Sequence, residues 1–148
     1  MKPKEYLAQA QRLKRRYETA LEELDTIRSM AGDVGAIRYD KDIVQSSPKN
    51  DQLAEYMIKL EKAETRALKA SEAYFTAYQT IKMQIEIVAP QLYADVLYMR
   101  YIQGKTIWQI ADALSYSYGW IKHVHGLALV EFGRTFPDAL KDSTKKHL

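Results

Sequence analysis

The chain has 148 residues, 47% of them apolar, which is enough for one domain, or a small domain with an extension, built around a real core. A net charge of +3 does not by itself argue for nucleic acid, so any electrostatic case has to come from where the charges sit. With no cysteine there are no disulfides and no thiolate metal sites, and no apolar run approaches the roughly 20 residues a membrane helix needs, so a cytoplasmic protein without a membrane partner is expected.

From about Lys4 to Met30, Leu7, Ala10, Leu13, Tyr17, Ala20, Leu21, Leu24 and Ile27 recur at threes and fours, which predicts an amphipathic helix. Its beginning carries Lys2, Lys4, Arg12, Lys14, Arg15 and Arg16 against Glu5, and its second half carries Glu18, Glu22, Glu23 and Asp25. That gradient opposes the helix dipole, so helix stability does not account for it. Two readings stand: a basic end that faces phosphate or a partner, and an ordinary solvated helical face. Gly32 and Gly35 end the helix. The stretch 31–51 has no sustained period and closes on Pro48, with Asn50 or Asp51 as the cap of the next helix. So long a loop is often functional or ordered by a partner, and Ile37, Tyr39, Ile43 and Val44 are its candidate anchors.

From Asp51 onward Leu53, Tyr56/Met57, Leu60, Ala63, Ala67, Ala70, Tyr74, Ala77/Tyr78, Ile81, Ile85 and Val88 keep close to a seven-residue repeat. The spacing predicts one helix on the order of 55 Å long. Such a helix cannot bury its stripe alone. Folding back on the first helix as a helical hairpin covers part of the seam, and the rest must meet the C-terminal region or another subunit, so a homo-oligomer is expected. Alanines at 63, 67, 70, 73 and 77 favour close helix packing over a cavity, and Tyr74, Phe75 and Tyr78 read as core or interface.

Ala89-Pro90 breaks the pattern and marks a domain boundary. A helix from Gln91 to Gln103 then places Leu92, Val96, Leu97, Met99 and Tyr101 inward and ends at Gly104, a natural C-cap. Thr106 to Leu129 reads as two short amphipathic helices joined by a tight turn. Ile107, Ile110, Ala111 and Leu114 face inward on the first, and Ile121, Val124, Ala128 and Leu129 on the second. Ser117 is the expected N-cap of the second helix. Tyr118, Gly119, Trp120, Lys122 and His123 then lie on its outward N-terminal face, where a helix-turn-helix protein meets DNA. Trp120 has a second reading, packing against Tyr116 or Leu114 at the domain edge. The tail from Arg134, with Pro137, Lys141, Lys145, Lys146 and His147, has weak periodicity and is expected to fray. The expectation is an all-α chain: residues 1–89 as a hairpin or coiled-coil oligomerisation region, 90–136 as a three-helix helix-turn-helix domain, and 137–148 as a tail.

Pro90, Val96-Leu97, Met99-Arg100-Tyr101, Gly104, Thr106, Gln109-Ile110-Ala111, Leu114, Ser117, Ile121, Val124 and Ala128-Leu129 together resemble region 4 of the sigma-70 family, in register without a gap. Gln109 stands where that family usually has Glu, and Ser115 where it commonly has the Gly of the turn. The core-binding and minus-ten regions of a complete sigma factor have no counterpart upstream. Taken with the N-terminal helix, the loop 42–51 and the long helix, the chain is similar to small phage proteins of Gram-positive hosts, the ArpU- and RinA-like late transcriptional regulators. The resemblance implies control of late phage or mobile-element genes in a bacterial cytoplasm. It places Tyr118, Gly119, Trp120, Lys122, His123 and Gly126 on the major-groove face, with Arg100, Lys105 and Thr106 as candidates for phosphate contact.

That face lacks the Arg and Gln that read guanine and adenine most directly, so specificity leans on thymine methyls, water or DNA shape, and affinity on a dimer. Between Pro90 and Arg134 the charges leave a net of only +1, which Arg12, Lys14, Arg15 and Arg16 supplement if they reach the duplex. Catalysis finds little support. His123 and His125 are two apart on a helix and point apart, and Ser46-Ser47 has no base or nucleophile elbow, so neither enzyme, metal nor cofactor is expected. Besides a DNA-binding regulator, two alternatives remain: a small-terminase-like binder of a packaging site, and a coiled-coil adaptor acting on RNA polymerase.

Overall fold

In a computed structural model that describes residues 1–32 and 47–145, all regular structure among the described residues is helical. The elements are α1 (Pro3–Leu7), α2 (Gln9–Ser29), α3 (Ser47–Ile87), α4 (Gln91–Leu97), a π-helical turn (Tyr98–Ile102), α5 (Ile107–Leu114), α6 (Tyr118–Thr135) and α7 (Pro137–Lys145). The expected first helix is therefore interrupted at Ala8. The long helix is present and, at 41 residues, spans about 60 Å. It starts earlier than the expected cap at Asn50 or Asp51: Pro48 sits in its first turn, where a missing N–H removes no helical bond. The proposed anchors Ile37, Tyr39, Ile43 and Val44, together with Gly35, lie outside the described residues.

The chain forms two compact units, Met1–Leu13 with Tyr74–Leu148, and Lys14–Ala73. The sequence boundary at 89–90 thus falls inside the first unit. The reason is apolar burial: Leu7, Ile81, Ile85, Leu97 and Phe132 are at most 2% exposed and share one core with Tyr6, Ala10, Val88, Ala94, Tyr101, Ile102 and Ala128. Residues on both sides of Pro90 are thus removed from water together, and so are Tyr6 and Leu7 of α1. Tyr6 Oη donates to Gln84 Oε1 at 2.7 Å, and its ring lies 5.7 Å from that of Phe132. The described part of the tail forms α7 rather than fraying, while Lys146 and His147 lie outside the described residues. Pro137 opens that helix, Asp138 suits its positive end, and Phe136, Ala139 and Leu140 pack on the same core.

In the second unit, α2 and α3 pack through Ala20, Leu24, Ala63 and Ala67, flanked by Ile27, Leu60 and Ala70. The small side chains at this seam allow the backbones to approach closely. Arg66 pairs with Glu23 and Arg28 with Glu64 at 3.8 Å, so the two segments run antiparallel. These ion pairs are exposed and set register more than stability.

A second core in the first unit gathers Val96, Ile110, Ala111, Ile121 and Val124, with Leu92, Met99, Ile107 and Leu114 against it. Every residue predicted inward on α5 and α6 is buried or half-buried. The turn between them is where the sequence departs from its expected glycine. Ser115 adopts φ 61° and ψ 40°, the left-handed region. Its N–H returns to the Asp112 carbonyl and that of Tyr116 to the Ala111 carbonyl, which closes α5 with a Schellman motif. A side chain in that region is strained by about 1 kcal/mol relative to glycine. Ser115 is exposed, so Ser115→Gly removes the strain without opening a cavity. Denaturant unfolding should show the variant more stable by about 0.5–1 kcal/mol; a variant equal to or weaker than the parent would contradict this account of the turn.

Candidate nucleic-acid interface

The start of α5 is fixed by a capping box. Thr106 Oγ1 accepts from Gln109 N at 3.2 Å, and Thr106 N donates to Gln109 Oε1 at 2.9 Å. Gln109, the position where the sigma pattern has Glu, does here the reciprocal capping that a Glu would do. Ser117 caps α6 as expected, accepting from Trp120 N at 3.2 Å. These caps leave the amides of the first two residues of each helix, Ile107 and Trp108 in α5 and Tyr118 and Gly119 in α6, without an intrahelical acceptor. The two helix starts are brought side by side by an aromatic stack. The rings of Trp108 and Tyr118 lie 4.2 Å apart at 21°. Trp108 is nonetheless 68% exposed, the highest value among the large apolar side chains on α5 and α6.

Around that stack lie the residues singled out from the sequence. Gly119, Trp120, Lys122, His123 and Gly126 are exposed and Tyr118 is half-buried. The Trp120 ring, 44% exposed, lies 5.8 Å from that of His123. Gly119 and Gly126 are seven residues apart and so fall on one line of α6. A side chain at either would meet nothing within 4 Å, which leaves open space over the backbone. Leu127 and Val130 are also exposed on this helix, at 39% and 54%. Sequence reasoning passed over them and Trp108, although Trp108 lies off the inward stripe of α5 and was legible as a surface aromatic.

The second group, Arg100, Lys105 and Thr106, forms the approach to α5. Arg100 is half-buried and its Nη1 donates to the Lys105 carbonyl at 3.0 Å, so part of its guanidinium is committed to shaping this turn. Gly104 takes φ 72°, and the Lys105 N–H reaches back to the Met99 carbonyl at 2.9 Å. The carbonyls of Tyr101 and Ile102, left over at the end of the π-helical turn, are taken by Gln11 Nε2 at 3.1 and 2.9 Å. Gln11 thus holds the chain that leads into α5, and no sequence motif announced it. Lys2, Lys4 and Arg12 belong to the same compact unit as α5 and α6. Lys14, Arg15 and Arg16 belong to the other unit.

His125 points away from this face, as its spacing from His123 requires. Its Nε2 is 2.7 Å from Tyr101 Oη and the rings stack at 5.7 Å. Burial pushes the His125 imidazole down to about 4, helped by the positive charges of Arg100 and Lys4, and pushes the Tyr101 hydroxyl up to about 12. The pair is therefore neutral at pH 7 and structural. Among the described residues no three His, Asp or Glu side chains converge on a point, and no described helix is long and apolar enough to cross a membrane. Compared with family models, curated proteins and solved structures, the chain matches none.

The depressed His125 value has a sign. The unfolded chain takes up a proton near pH 6.5 that the folded chain refuses until about 4, so this contribution to stability is complete above 6.5 and is lost as pH falls toward 4. Denaturant unfolding from pH 7.5 to 4 should show a decline in the parent protein that is shallower in His125→Gln. Parallel pH profiles for the two proteins would contradict it.

Proposed function

We propose that this protein is a sequence-specific DNA-binding transcription regulator of phage or mobile-element late genes. In this reading α5 and α6 are a sigma-like helix-turn-helix and α6 enters the major groove. The observation that carries the reading is the pairing of two capped helix starts, their inner faces sharing one apolar core and their outer face carrying Trp108, Tyr118, Gly119, Trp120, Lys122 and His123. Helix N-termini attract phosphate oxygens, and the uncapped amides of Ile107, Trp108, Tyr118 and Gly119 supply donors for them. Lys105 and Lys122 add charge at the same end, and Lys2, Lys4 and Arg12 raise the positive charge of the unit that carries it.

Homo-oligomerisation belongs to the same proposal. In the two-helix unit Leu21, Met57, Ile58 and Leu68 are 40%, 53%, 53% and 60% exposed, more apolar side chain than two packed helices conceal. A second copy that covers them multiplies a modest single-module affinity for DNA. Multi-angle scattering should give a mass at least twice that of one chain, with Leu68→Glu shifting it toward the monomer. A concentration-independent monomer contradicts this part of the proposal.

The exposure of Trp108 and Trp120 also favours a second reading, a module that docks on a protein such as RNA polymerase, because aromatic side chains are enriched at protein interfaces. A DNA binder of packaging sites is the remaining alternative. Selection from a random-sequence duplex library, followed by titration of the enriched duplex from 50 to 200 mM salt, separates the two DNA-binding readings from the protein-docking one. The regulator reading expects an enriched sequence, affinity that falls steeply with salt, and a Lys122→Ala/His123→Ala variant at least ten-fold weaker with a log–log salt slope shallower by about one. Affinity insensitive to salt, or unchanged in the variant, would overturn it.

A further inference from the structure

The outward face of α6 is floored by glycine and flanked by apolar groups on one side and by Lys122 on the other. Gly119 and Gly126 lie on one line of the helix with open space above both, which lets a ligand approach the backbone itself. Helical spacing puts Trp120 and Leu127 along one side of that line and Lys122 along the other. His123 stands near the line with its ring against Trp120.

Each base edge in a major groove asks for a different partner. Adenine pairs best with the amide of Asn or Gln, cytosine with a carboxylate, guanine with Arg or Lys, and the thymine methyl with apolar surface. Between Tyr118 and Val130 α6 contains no Asn, Gln, Asp, Glu or Arg. It therefore offers nothing of the usual kind to adenine or cytosine and a single charged donor, Lys122, to guanine. It has ample apolar surface for thymine. We infer that α6 reads duplex DNA chiefly through thymine C5-methyl groups, which seat on the Gly119–Gly126 line against Trp120 and Leu127. This rests on the DNA-binding reading above and names the base that reading left open.

The test replaces thymine with uracil in the duplex enriched from a random library, which deletes the methyl and leaves base pairing and all hydrogen-bonding groups intact. Each contacted methyl should cost about four-fold in affinity, the fold-change expected for removing one buried methylene-sized group. Gly126→Ala is the companion variant. Its new methyl meets no protein atom within 4 Å and alanine suits a helix better than glycine, so the melting temperature should hold or rise. The same methyl occupies the thymine seat, so affinity for the thymine duplex should fall about ten-fold or more while the uracil penalty shrinks.

A uracil duplex bound as tightly as the thymine duplex overturns the inference and leaves the DNA-binding reading standing. A uracil penalty of the same size in Gly126→Ala as in the parent also overturns it, since the methyl is then read elsewhere. Failure of the library to enrich any duplex removes the DNA-binding reading itself, and the inference with it.

Discussion

The left-handed backbone at Ser115 is the constraint on which the geometry of the proposed interface depends. Three residues separate Leu114 from Tyr118, and the apolar faces of α5 and α6 must meet on one core across that gap. A positive φ at the first of the three reverses the chain while the Schellman bonds satisfy the Ala111 and Asp112 carbonyls of α5. Once the reversal is made, Ser117 is free to cap α6, Tyr118 arrives against Trp108, and Ile121 and Val124 meet Ile110 and Ala111. The serine is held in this conformation by the shared burial of Ile110 and Ala111 with Ile121 and Val124 on either side of the turn.

The N-terminal segment supports the same interface from behind. Leu7 is fully buried in the core that contains Leu97 and Phe132, and Gln11 takes the two carbonyls exposed where the π-helical turn gives way to Gly104. Buried polar groups left without partners are costly, so the widened turn at Tyr98–Ile102 is tenable because an amide from elsewhere in the chain completes it. Residues about 90 positions apart therefore set the path by which Lys105 and Thr106 reach α5. The neutral Tyr101–His125 pair closes the same region with one hydrogen bond between two groups that burial keeps uncharged.

Periodicity made much of this legible. The stripes of the long helix, of α5 and of α6 follow from spacings of three and four, and Ser117 and Gly104 are punctuation that the backbone obeys. The division into units was not legible, because it depends on which distant apolar residues share a core. Nothing local in Tyr6-Leu7 says that they pack with Phe132. The interruption at Ala8, the π-helical turn and the ordering of α7 are likewise tertiary effects: Ala139 and Leu140 are too few to show a period, yet they suffice once Phe136 and the core are beside them. At the interface, the residues of α6 were readable as outward-facing. Their joining with Trp108 was not, because a stack between two helices has no signature in either one.

The starts of α5 and α6 are proposed to act together as the DNA-contacting end of the molecule. Amide hydrogen exchange of the full chain, with and without the duplex enriched from a random library, tests this most directly. The amides of Ile107, Trp108, Tyr118 and Gly119 have no intrahelical acceptor, so they should exchange fast in the free protein and slow markedly when phosphate oxygens accept from them. Unchanged exchange at all four, with protection appearing on α3 or nowhere, would contradict the claim.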